Sequence, residues 1–103
     1  MSYRIERWSE TQAPDAAKLI QKMRAEGYSV FQWSDPAGAV YSDHEHRDDQ
    51  SHWIISGTLE LTVKGFGRFE LRPGDRDFMP AGTVHSARVT DGEAVVYLIG
   101  SKV

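Results

Sequence analysis

Hydrophobic positions follow two different rhythms along this chain. Between Pro14 and about Glu26, the residues Ala16, Leu19, Ile20 and Met23 recur at three-and-four spacing, which predicts one amphipathic helix. Pro14 suits its first turn and Gly27 its stop. After Gly27 the runs become short and β-rich: Tyr28–Trp33, Trp53–Ile55, Leu59–Val63, Arg68–Leu71, Asp77–Met79 and Ala94–Ile99. Turn formers separate them at Asp35-Pro36-Ala37-Gly38, Ser56-Gly57, Lys64-Gly65, Arg72-Pro73-Gly74-Asp75, Pro80-Ala81-Gly82 and Asp91-Gly92. Closely spaced strands with no helices between them predict an all-β sandwich or small barrel and argue against a parallel α/β sheet. Alternation along Trp53-Ile54 turns Ile54 inward and Trp53 to the opposite side of its sheet. Trp53, Trp8 and the apolar helix face are then available for a homodimer contact, and edge-strand pairing with a twofold mate would cover an open edge.

Composition narrows the field. The chain has 103 residues, enough for one core and one domain, with no repeat or linker. Twelve Lys and Arg against fifteen Asp and Glu give a net charge of −3, which argues against nucleic acid and anionic membranes as partners. No apolar run reaches the roughly 20 residues of a membrane span, and the first residues lack the apolar stretch of a signal peptide, so a cytoplasmic location is expected. The absence of cysteine excludes disulfides, thiolate nucleophiles and thiolate-bound metals. Metal chemistry must therefore use His, Asp, Glu or neutral oxygen.

The densest group of potential ligands is Asp43-His44-Glu45-His46-Arg47-Asp48-Asp49-Gln50. Its charged members read as a solvated loop. On an extended strand, however, His44 and His46 would project to one face and present two imidazoles to one metal. The other histidines, His52 and His85, also sit beside strand-turn junctions, the latter just after the Pro80-Ala81-Gly82 turn.

These residues carry a resemblance to the small single-domain cupins. The first cupin motif runs His44-Glu45-His46, three residues, Gln50, six residues, Gly57, with Gln50 where the family usually has Glu. The second runs Gly74, five residues, Pro80-Ala81-Gly82, two residues, His85, with Val89 in place of a frequent Asn. The resemblance implies a double-stranded jelly-roll β-barrel over residues 28–103, preceded by an N-terminal extension, residues 1–27, that holds the helix. It also implies one divalent transition metal, iron, manganese, zinc or nickel, held by His44, His46 and His85 with Gln50 at the fourth place. An amide oxygen is a weaker donor than a carboxylate and leaves the ion's charge intact, lowering affinity and acidifying a bound water. Asp48 or Asp49 is an alternative carboxylate.

His52, two residues beyond Gln50, shares its inward face and reads first as a barrel-interior histidine bonded to a neighbour. It is also the candidate proton acceptor beside a substrate. The function expected is binding or transformation of a small organic molecule at a three-His metal site, with dioxygenase-like chemistry foremost. Two alternatives stand beside it. One is a non-catalytic binding or sensing module; the other is a metal-free isomerase or epimerase using His52 or His85 with Tyr97.

Overall fold

The computed structural model describes residues 2–90 and 92–102. Of the turn expected at Asp91-Gly92, Asp91 lies outside the described residues. The elements run β1 (Arg4–Glu6), α1 (Ala16–Ala25), β2 (Ser29–Asp35), β3 (Val40–His44), β4 (Asp49–Ser56), β5 (Leu59–Val63), β6 (Gly67–Leu71), β7 (Arg76–Phe78), β8 (His85–Val89) and β9 (Val95–Lys102). They form a five-stranded sheet in the order β1-β7-β4-β9-β2 and a four-stranded sheet in the order β3-β8-β5-β6. All pairings are antiparallel. This is the all-β jelly-roll barrel that the resemblance implied, with the one N-terminal helix that the periodicity predicted. The short apolar runs do not mark β1, β3 or β8, and β1 joins the large sheet through β7.

Two apolar clusters hold the layers together. Between the sheets lie Ile54, Leu59, Leu61, Val63, Leu71, Val89, Val95 and Tyr97, with Tyr3 brought in by the N-terminal segment. In β5 the pattern Leu59, Leu61, Val63 is buried while Thr62 is exposed, the alternation of a strand with one face on a core. On the outer face of the large sheet, Trp53 and Leu98 pack under Leu19 and Met23 of α1. Ile54 and Trp53 thus face opposite sides, as alternation required. The expectation that Trp53 and the helix face would meet a partner is corrected here: Trp53 is 5% exposed and Met23 fully buried, because the helix folds back onto its own sheet.

Local chemistry sets that helix. The Asp15 carboxylate accepts from the backbone N–H groups of Ala17 (3.0 Å) and Lys18 (3.4 Å), so the cap falls one residue after Pro14. Lys22 and Arg24 sit in the last turn, where cations favour the helix dipole. The close seat on the sheet depends on Gly100, since a Cβ there would stand 2.5 Å from Met23 Cε and 3.1 Å from Tyr28. Gly57 answers a backbone demand: its φ is +76°, and a Cβ would approach the Ala94 carbonyl oxygen to 2.3 Å.

Candidate metal centre

The small sheet delivers two of the histidines side by side. His44 ends β3 and pairs with His85, the first residue of β8. His46 lies beyond the strand end, in the loop that leads to β4, and its carbonyl accepts the Gly82 N–H at 2.9 Å. The expectation that His44 and His46 share a face of one extended strand is therefore corrected. The β3–β8 register shifts between Tyr41 and His44, and the residues beyond the strand end bring His46 to the same place. The potential ligand atoms of His44, His46 and His85 lie within 4.8 Å of one another. Their ring centroids are 4.2 to 5.3 Å apart.

The surroundings fit the donor set for a metal. His44 Nδ1 is 2.7 Å from the Ser42 carbonyl oxygen, and His85 Nδ1 is 2.9 Å from that of Thr83. A carbonyl only accepts, so each Nδ1 carries the proton and each Nε2 keeps a free lone pair, the arrangement that orients metal-binding imidazoles. Burial holds His85 below its ordinary pKa of 6.5 despite the Thr83 hydrogen bond, and neighbouring imidazoles push the same way. Burial also lowers His46, with His44 and His52 adding to it. Neutral imidazole is the metal-binding form.

Gln50 lies in β4 opposite Ser101 and lines the same cavity. Neither alternative carboxylate joins the group. Asp49 instead accepts the Ala81 N–H at 2.9 Å, holding the turn that leads to His85. His52 stands apart from the three-His group, although it lines the cavity with them. Its ring Nδ1 is 3.0 and 3.1 Å from the two oxygens of Asp77, which is fully buried, and its backbone N–H donates to the same carboxylate at 2.7 Å. Tyr3 donates to Asp77 from the other side at 3.0 Å. Burial alone would lower His52, but the Asp77 charge and hydrogen bond outweigh it and raise its pKa. Sequence reasoning gives Asp77 no role; the available signal is an aspartate inside a three-residue strand, beside His52's strand in the sheet.

The cavity measures about 320 Å³ and opens between the sheets. Leu59 and Leu61 contribute apolar wall, and Phe31, Trp33, Tyr41 and Tyr97 line it together with the histidines. The Tyr97 hydroxyl donates to Asp35 at 2.9 Å, and burial pushes its pKa well up, helped by that bond. Such a phenol is a poor proton donor or acceptor for a metal-free isomerase.

The cupin domain model matches residues 31–100, well over half the sequence. The chain belongs to the cupin family. This cupin is 36% identical over 56 residues to the dimethylsulfoniopropionate lyase DddQ of Ruegeria pomeroyi, a match that covers 54% of the chain and 28% of the lyase. The crystal structure of that lyase superposes with a TM-score of 0.68 at 28% identity, over 74% of this cupin and 38% of the lyase chain. The cupin thus spans well under half the length of that relative. An uncharacterised protein of Streptomyces coelicolor is 25% identical over 84 residues, 82% of this chain and 79% of its own. A cupin-like protein of Thermotoga maritima shares the fold, with a TM-score of 0.66 at 23% identity over 73% of this cupin and 56% of that chain. Among the described residues no helix is long and apolar enough to cross a membrane.

Proposed function

We propose that this cupin holds one divalent transition metal between His44, His46 and His85 and transforms a small organic molecule bound in the adjoining cavity. The observation that carries this reading is the convergence of three imidazoles, two of them (His44 and His85) with orienting hydrogen bonds that leave Nε2 free, on a cavity also lined by His52, which Asp77 holds from behind. When bound, the metal supplies Lewis-acid polarisation of a substrate oxygen. The chain's own residues do the rest. Asp77 fixes the His52 ring with the proton on Nδ1, which leaves Nε2 as the atom that takes or gives a proton at the cavity wall. Leu59 and Leu61 supply apolar surface that keeps part of the substrate from water.

Proton transfer beside a metal suits elimination or isomerisation, and the likeness to a lyase supports the same class. The dioxygenase-like reading keeps one favourable observation: with no carboxylate in the group, three neutral donors suit an ion that also accepts substrate and dioxygen. A homodimer and a cytoplasmic setting belong to the same proposal. The dimer contact would use an edge strand, since Trp53 is covered by the helix.

Elemental analysis of protein purified without chelators tests the centre, with about one equivalent of transition metal per chain expected. No metal after reconstitution overturns the proposal. Oxygen uptake with candidate substrates separates oxygenase from lyase or isomerase chemistry. Replacing Gln50 with Glu is expected to tighten metal binding by about tenfold, because a charged donor replaces a neutral one. Unchanged affinity in a metal titration would show that residue 50 does not reach the ion.

A further inference from the structure

The cavity has a second chemical character in its aromatic lining, and the residue that organises it is Asp35. This residue ends β2 opposite Val95 and is 5% exposed. Its Oδ1 accepts from Trp33 Nε1 at 3.0 Å and from the Tyr41 hydroxyl at 2.5 Å, and its Oδ2 accepts from the Tyr97 hydroxyl at 2.9 Å. All three donors belong to aromatic residues that line the cavity, and Phe31 meets Trp33 edge-on at 6.2 Å. One carboxylate therefore organises an aromatic wall. Donation to an anion also enriches each of those rings in electron density, which strengthens its negative face.

Among the described residues no ion pair or cation–π contact supplies a cation to this wall. Among the described residues, none of the seven ion pairs within 4.0 Å includes Asp35. The six cation–π contacts among them fall on Tyr28, Trp53 and Phe78, and none on the four cavity aromatics. A nearly buried carboxylate without a cationic partner is costly, and a ligand cation would offset that cost. Phe31 and Trp33, each about half exposed, leave the wall accessible.

Resting on the reading of this cavity as the small-molecule site, we propose that the Asp35-centred wall is a subsite for a small organic onium cation. Such a cation carries its charge on a centre without N–H or O–H donors. A primary ammonium would bring donors that need acceptors, and Asp35 already receives three. Aromatic faces satisfy an onium by cation–π attraction alone. Tyr41 and His44 both line the cavity from β3, with the register of that strand shifting between them. A ligand that reaches from one to the other places its cationic group on the aromatic wall and an oxygen donor towards the histidines.

The test is calorimetric titration of the full chain, metal-loaded, with choline and with its neutral isostere 3,3-dimethylbutan-1-ol. Choline is expected to bind about tenfold more tightly. Trp33→Leu, at a half-exposed position, and Asp35→Asn should each shrink the ratio of choline to isostere affinity towards one. Equal affinities in the unmodified protein, no choline binding, or a preference untouched by Trp33→Leu overturns the proposal. Repeating the titration on His85→Ala protein separates the two readings. A choline preference that survives without metal upholds the onium subsite whatever becomes of the metal centre. Loss of the preference in metal-loaded protein removes the subsite and leaves the centre standing.

Discussion

Replacing His85 with Ala is expected to strip this cupin of its metal while leaving the barrel folded. His85 is the member of the three-His group that the fold holds most firmly: it is 3% exposed, paired with His44 across β3 and β8, and oriented by the Thr83 carbonyl. Its removal leaves two imidazoles, one of which sits on a loop, and Gln50 as the only other candidate donor. Loss of a ligand should exceed the 10- to 100-fold effects typical of orienting partners, so affinity should fall by more than about 100-fold. The fold should survive because β8 keeps its backbone pairing to β5 from His85 to Val89, none of which involves the imidazole. The measurement is metal per chain after gel filtration, with circular dichroism as the control for folding. Metal retained at near one equivalent would mean that the ion is held elsewhere.

How much of this was legible in the sequence depended on where each residue's role originates. The strand Leu59–Val63 could be read to the residue, because its alternation is clean and Gly57 and Lys64-Gly65 bound it. Strand β3 was not, since Val40–His44 is mostly polar and exposed and ran into the charged stretch taken as loop. Strand β9 runs on past the apolar run Ala94–Ile99 through Gly100 to Lys102, where the glycine admits Met23 and the helix. The histidines were legible because motif spacing is a local property of the sequence. Asp77 and Asp35 were not, because each draws its significance from partners that only the tertiary fold supplies: His52 and Tyr3 for one, Trp33, Tyr41 and Tyr97 for the other. Arg76 is the extreme case. Sequence placed it beside a polar turn, and the fold buries it almost completely.

That burial makes Arg76→Ala the substitution expected to cost most in stability, about 3–5 kcal/mol. The guanidinium stacks 4.5 Å from the Trp53 ring centroid and 4.3 Å from that of Phe78. Its Nε donates to Ser51 Oγ at 2.8 Å, and its two terminal nitrogens fork onto the Glu26 carboxylate at 3.2 and 2.5 Å. Glu26 is the C-cap residue of α1, so this fork ties the end of the helix to the large sheet. Glu26→Gln should cost less, about 1–3 kcal/mol, because that carboxylate is one-third exposed and an amide still accepts one bond. The two variants also differ from the parent in acid. The Arg76 hydrogen bond holds Glu26 below its ordinary pKa of 4.5, so the folded state binds this proton more weakly than the unfolded chain does. The stability gained from ionised Glu26 is therefore complete above the ordinary glutamate range and is lost as pH falls through the depressed folded value. Urea midpoints measured from neutral pH down to about pH 3 should show the parent and Glu26→Gln converging as acid is added. A gap that stays constant with pH would show that the ion pair contributes nothing beyond packing, and an unchanged midpoint for Arg76→Ala would show that the helix is held by Leu19 and Met23 alone.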